Sequence, residues 1–323
     1  MQKSGKLLIY AHDFNEFWVN RAFETGLKTL GLHPVPGIPA EDPRSLEKLL
    51  ETSGRSSFRR FCDTLQAEGV GIELEAHAMH YLLPRSLFER FPLWFREDEH
   101  GVRTPVLNCC PSSEGALSEI EKNAQKLGER IAEFSHTHRY YLWTDDGGEY
   151  CHCEKCKHLS PSDQAMTIAN SIYRGLRRAD PLAQLSFLAY QATISPPRQV
   201  VPETGIFLEY APIDRKSSFC LNDASCKENS AQSQHIQPLL EYFGKQGSQA
   251  LDYWLDVSYF YRWQHPFGEL PLYAGVLQSD VRFYEKCGFD QIASFACGIN
   301  EEYVRRYGDL PLRVFSEAFR GGR

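Results

Sequence analysis

No stretch of this 323-residue chain approaches the length of a membrane span. The apolar run near its start, Leu7-Leu8-Ile9-Tyr10, is too short for a signal-peptide core, so a cytoplasmic protein without membrane contact is expected. Basic runs are missing too. With a net charge of −7 there is no Lys/Arg patch of the kind phosphate backbones require, which argues against nucleic acid as a partner. Linker-like and low-complexity tracts are absent, and one domain over about residues 5–320 is expected. No signature of an oligomeric state is present. What the chain has is ring surface and thiols. Its 20 Phe, 16 Tyr and 5 Trp serve either packing or a stacking surface, and its ten cysteines read as thiols or metal ligands in a reducing compartment.

Strand-like and helix-like segments alternate. The strands are expected at Leu7–Ala11, His33–Val35, Gly71–His77, Tyr140–Asp145, Leu185–Tyr190, Gly205–Ala211, Ala250–Asp256 and Gln291–Cys297. Helical periodicity covers Glu16–Leu30, with Gly31 as its stop, and Leu46–Glu68. It returns around Leu117–Ile131, after Ser160-Pro161-Ser162-Asp163, and over Ser233–Gly244, Val276–Lys286 and Glu301–Arg306. The excursion Tyr81–Pro111 is longer than ordinary connections and reads as a lid or binding loop. Eight such units point to a single (β/α)8 barrel of the TIM type rather than an open sheet.

Residues two apart on a strand share a face. Glu73, Glu75 and His77 are expected to point into the barrel, as are Asp252, Trp254 and Asp256; Tyr141, Trp143 and Asp145 align, and Glu209 shares a face with Phe207 and Ala211. Buried carboxylates need partners or a polar ligand. For the deep Glu73 and Asp252, pairing with Arg or His is the expected explanation. For Glu75, Asp145, Asp146, Glu209 and Asp256, at the C-terminal strand ends, a functional role is expected, because barrel active sites lie on that rim.

Asp145-Asp146 ends the fourth strand and runs into Gly147-Gly148. Sugar-bond cleavage commonly uses two carboxyl groups flanking the scissile bond. Adjacent acids fit that arrangement poorly; they fit better when a substrate's own 2-acetamido oxygen is the nucleophile. The alternative pairs Asp146 with Glu209 or Asp256 across the barrel. Asp-Asp-Gly-Gly is also an ordinary turn composition.

The run Asp146-Gly147-Gly148-Glu149-Tyr150-Cys151-His152-Cys153-Glu154-Lys155-Cys156-Lys157, followed by Ser160-Pro161-Ser162-Asp163 and Asn170, resembles the bacterial domain of unknown function 4838. Ala189-Tyr190, Glu209-Tyr210-Ala211-Pro212 and Asp252-Tyr253-Trp254 continue the resemblance in the same order. That family is similar to glycosidase barrels, which implies a sugar-processing protein. A looser likeness runs to retaining N-acetylhexosaminidases. It implies Asp145 as the group that polarises the acetamido nitrogen and Asp146 as general acid/base, with no cofactor required for catalysis.

Cys151-x-Cys153-x-x-Cys156 offers three thiolates for a structural zinc, with His158, Cys109, Cys110, Cys220 or Cys226 as the fourth ligand. The metal-free reading is three reduced thiols stiffening a loop; a second CxxC at finger-like spacing is missing. His77 and His80 follow the third strand but do not form the helical HExxH signature. His77, His80, Trp143, Tyr190, Tyr210 and Trp254 are candidates to contact a sugar, each weighed against a core role. Three functions compete: a glycoside hydrolase for a 2-acetamido sugar, a hydrolase of acidic or other sugars that uses Asp146 with Glu209 or Asp256, and a silent carbohydrate-binding barrel.

Overall fold

The computed structural model describes residues 5–34 and 44–320. β1 (Gly5–Tyr10) is followed by α1 (Glu16–Thr25), β2 (Thr29–His33), α2 (Ser45–Ser53), α3 (Ser56–Ala67) and β3 (Gly71–His77). α4 (Met79–Leu82) opens the long loop that leads to α5 (Glu114–Ala132) and β4 (Arg139–Trp143). Then come α6 (Pro161–Ala179), β5 (Gln184–Ala189), β6 (Ile206–Tyr210), α7 (Lys227–Ser233), α8 (Ile236–Phe243) and β7 (Gln249–Asp252). α9 (Val257–Phe260), α10 (Ala274–Cys287), β8 (Gln291–Phe295), α11 (Glu301–Tyr307) and α12 (Leu310–Ala318) complete the order. The eight strands form a closed parallel barrel in sequence order, with β1 paired to both β2 and β8. Among the described residues, no helix is long and apolar enough to cross a membrane.

Three departures from the expected elements matter most here, beyond shifts of a residue or two at other strand ends. The helix expected over Glu16–Leu30 ends at Thr25, where Gly26 takes the left-handed cap at φ 70°, and Thr29–His33 is a strand. Leu27 and Leu30 are spaced three apart and mimic a helical face, yet Leu30 and Leu32 point to the helix shell. Gly31, between them, faces the interior: a Cβ there would meet Leu8 at 2.5 Å and the Glu75 carboxylate at 3.1 Å. Val35, in the strand expected at His33–Val35, lies outside the described residues. The single helix expected over Leu46–Glu68 is two, broken around Gly54.

The third difference concerns β7, which stops at Asp252 instead of running to Asp256. Gln249 and Leu251 face the interior, while Asp252 faces the shell. There Arg215 donates to Asp252 at 2.7 Å and meets Asp280 at 2.7 Å. Tyr284 donates to Asp252 at 2.8 Å and the Trp254 indole to Asp280 at 3.1 Å. Asp252 is thus paired with an arginine, as a buried carboxylate must be, but on the opposite face from the one expected.

The inner layers of the barrel are partly ionic. Lys6, fully buried, contacts Glu73 and Glu75 and sits 3.7 Å over the Tyr141 ring. Beside them, Trp143 and Gln249 donate to Glu209 at 2.8 and 2.7 Å. On the rim side, Ser160 caps α6 reciprocally with Asp163. The second oxygen of Asp163 accepts from the backbone N–H groups of Arg198, Gln199 and Val200 at 2.9, 2.7 and 3.0 Å. One carboxylate therefore starts a helix and anchors the β5–β6 loop.

Candidate active site

A cleft with about 620 Å³ of free space, part of it open to solvent, lies at the C-terminal ends of the strands. Its lining takes a side chain from the end of nearly every strand: Tyr10, His33, His77, Trp143, Asp146, Tyr190, Tyr253, Asp256 and Phe295, with Trp263 from the loop after α9. The alternation that buries Leu8, Tyr141, Phe207, Leu251 and Ala293 below delivers these larger and more polar side chains above.

Only one member of the Asp145-Asp146 pair lines the cleft. β4 ends at Trp143, so strand alternation no longer orients the residues that follow. Gly147 and Gly148, at φ 116° and 69°, turn the chain in a conformation that residues with a Cβ avoid. Asp146 faces the cleft and accepts from the Tyr190 hydroxyl at 3.0 Å. Asp145, 5% exposed, turns to the loop after β3 and ion-pairs with Arg85. Asn108 completes that contact. Its backbone N–H donates to the Asp145 carboxylate, while its side-chain oxygen accepts from the Asp145 N–H at 2.9 Å and its amide donates to Glu149 O at 2.7 Å. The expectation that both acids face one ligand is corrected accordingly: the Arg85 and Asn108 partners hold Asp145 off the lining.

The second carboxylate of the cleft is Asp256, 3% exposed. It caps α9, accepting from Tyr259 N at 3.1 Å and from the Ser258 hydroxyl at 2.5 Å; Tyr10 in turn donates to Ser258 at 2.8 Å. Burial pushes its carboxyl up to about 6, against the pull of those donors.

Two histidines, His33 and His77, also line the cleft. His77 Nδ1 lies 2.5 Å from Thr144 O, and His33 Nδ1 lies 2.8 Å from Glu75 O. A carbonyl only accepts, so Nδ1 carries a proton in both rings. Burial pushes His33 down to about 4, which keeps it neutral. Trp143 packs edge-on to His77 with ring centroids 5.1 Å apart, and Tyr253 stacks on Phe295, also at 5.1 Å. The neutral His33 and these ring faces suit hydroxyl-rich, partly apolar ligands.

The remaining residues singled out in the sequence lie elsewhere. Glu75 and Glu209 sit below the cleft in the Lys6 layer, where burial pushes both carboxyls up; Glu209, with Glu75 beside it, reaches about 8. His80, on α4, is grouped with Arg85 and Asp145, and burial and then the Arg85 guanidinium hold its pKa down. Tyr210 packs outward against Tyr284 and Phe289, and Trp254 packs on Tyr284. Both belong to the shell because β6 and β7 put their even-numbered side chains outward.

Several lining residues were not singled out. Tyr10 was recoverable by period-two counting from Leu8. His33 was hidden by the misplaced β2 and Tyr253 by the overextended β7. Trp263 lies on a loop with no periodicity to reveal it.

Beside the cleft, Cys151, Cys153 and Cys156 converge with Cys110, their four sulfurs lying within 4.8 Å of one another. Of the proposed fourth members, Cys109 instead faces the main apolar core, and neither His158, Cys220 nor Cys226 belongs to the cluster.

The model of a family described as a domain of unknown function (DUF4838) matches residues 51–307, well over half of the chain. No curated protein matches. Among solved structures, Gan42B, a GH42 β-galactosidase from G. stearothermophilus, aligns at 12% identity and a TM-score of 0.59 over 99% of this chain and 56% of its own. The β-galactosidase of Bacillus circulans sp. alkalophilus aligns at 12% identity and 0.57, over 99% and 56%. The GH20 catalytic modules of the pneumococcal exo-β-D-N-acetylglucosaminidase StrH align at 12% and 0.50, over 98% and 82%. The chain therefore spans little more than half of either β-galactosidase. Likeness at this identity establishes the shared (β/α)8 barrel and nothing finer.

Proposed function

This chain belongs to the DUF4838 family, and we propose that it is a glycoside hydrolase acting on a carbohydrate in the cleft at the C-terminal rim. One observation carries the reading: two carboxylates, Asp146 after β4 and Asp256 after β7, line a single cleft among aromatic rings and two histidines. A glycosidic bond needs a proton on its leaving oxygen and a carboxylate or activated water at the sugar carbon. Asp146 is the proton donor in this reading, oriented by Tyr190. Asp256 is the second group: as a helix cap it receives two donors on one oxygen, an arrangement suited to an ionised acceptor.

Trp143, Tyr190, Tyr253 and Phe295 give the sugar ring its apolar contacts, while His33 and His77 accept from its hydroxyls. Asp145 acts through position. Its contacts with Arg85 and Asn108 hold the turn that carries Asp146, so the mechanism does not depend on a 2-acetamido group. The test is hydrolysis of a panel of nitrophenyl glycosides by the wild-type chain and by Asp256→Asn. Turnover of a glycoside that the variant loses supports the assignment; equal turnover by both removes Asp256 from the chemistry.

A further inference from the structure

We propose that Cys110, Cys151, Cys153 and Cys156 bind one zinc ion in a closed tetrathiolate site that joins the loop after β3 to the loop after β4. The sulfur spacing is the first observation. Cys110 Sγ lies 3.8 Å from Cys153 Sγ and 3.8 Å from Cys156 Sγ. Zinc–sulfur bonds of about 2.3 Å at tetrahedral angles place neighbouring sulfurs about 3.8 Å apart. That separation is nearly twice the sulfur–sulfur bond of a disulfide, about 2.05 Å.

The second observation is direction. All four thiols are buried, yet they form a cluster of their own, separate from the main apolar core into which Cys62 and Cys109 pack. Thiols used as small hydrophobes would disperse into that core.

The third is the donor shell. Glu97 N–H points at Cys151 Sγ at 3.3 Å and the Arg103 guanidinium lies 3.7 Å from it. The Ser112 hydroxyl lies 3.1 Å from Cys110 Sγ and 3.3 Å from Cys156 Sγ. The Glu97 N–H and the cationic Arg103 both donate to Cys151 Sγ, which suits a thiolate, and four thiolates around a divalent ion carry a net charge of −2 that Arg103 offsets in part. Binding releases the thiol protons to solvent. A tetrahedral set of four sulfurs fits zinc, and with no open position the ion is structural. Asn108, two residues before Cys110, holds both Asp145 and Glu149, so the metal braces the turn that carries Asp146.

The experiment is metal analysis of the freshly purified full chain in chelator-free buffer, followed by titration with a mercurial while a chromogenic chelator reports released metal. The expected result is one zinc per chain, released in step with the titration of four of the ten thiols. Cys110→Ser should retain less than about a tenth of that zinc, whereas Cys109→Ser should retain it all. Cobalt substituted for zinc should show the ligand-field bands of a tetrathiolate. Metal-free protein with all ten thiols reactive, disulfides among these four cysteines, or iron in place of zinc would each overturn the proposal. If Cys110→Ser does not fold, the mercurial titration of the wild-type chain decides alone. None of these readouts uses glycoside turnover, so this inference and the hydrolase reading fail separately.

Discussion

Arg85, on the loop after β3, ion-pairs with Asp145 and keeps that carboxylate out of the cleft that its neighbour Asp146 lines. Two adjacent acids thereby take different places, one in the ion pair and one facing the cleft. Removing Asp145 leaves a mostly buried guanidinium without its partner, a loss of about 3–5 kcal/mol when such a pair is broken. Denaturant unfolding of Asp145→Asn should show a loss of that order, whereas Asp146→Asn should unfold at nearly the wild-type midpoint. An Asp145 variant as stable as wild type, yet inactive, would restore that residue to the chemistry.

In the proposed role, Asp256 would give turnover an acid limb. Its carboxyl is pushed up to about 6 by burial and must be ionised in the proposed role, so activity should fall as pH drops through about 6. The Ser258 hydroxyl donates to the charged form, and Ser258→Ala removes that support. The limb should then move to higher pH while the alkaline side stays in place. A pH–rate profile of the two proteins checks this, and a limb that does not move would separate Asp256 from it.

Stability should also respond to pH through Glu209. Burial and then Glu75 raise its folded value from 4.5 to about 8, so between these limits the folded chain binds more protons than the unfolded one. Stability therefore falls as pH rises across that window. Thermal unfolding from pH 5 to pH 8 should show the decline, and Glu209→Gln, which has nothing to ionise, should flatten it. Parallel curves for the two proteins would argue against a raised Glu209.

Arg215 holds Asp252 and Asp280 behind β7. Replacing it by Met leaves two buried carboxylates without a cation, and a loss of about 3–5 kcal/mol is expected on denaturation. Arg215→Met with Asp252→Asn and Asp280→Asn should recover part of that loss. A single variant unfolding like wild type would show the network to be energetically idle.

Much of this molecule was legible in the sequence. Eight alternating units specified the barrel, and period-two counting along β3 and β6 put Glu73, Glu75, His77 and Glu209 on the interior face. Asp146, His77, Trp143, Tyr190 and Asp256 were singled out and meet in one cleft. What failed did so where strands end. Alternation carried past Trp143 sends Asp145 inward, but the strand is over and the loop carrying Arg85 captures it. Alternation begun one residue out of phase in β7 exchanges Tyr253 for Trp254. Depth is likewise invisible to periodicity. Glu75 and Glu209 share the inward face with cleft residues but lie below them, where Lys6 meets Glu75 and the Trp143 and Gln249 side chains meet Glu209. Cys110 is far from Cys151 in sequence, so spacing alone left it one of five candidates.

The most direct test of the hydrolase account is the leaving-group dependence of Asp146→Asn on whichever glycosides the wild-type chain turns over. If Asp146 protonates the leaving oxygen, the variant should lose about 10²–10⁴-fold in turnover on substrates with poor leaving groups. It should lose far less on activated aryl glycosides, which need little protonation. Equal losses on both, or wild-type rates on a poor leaving group, would contradict the account.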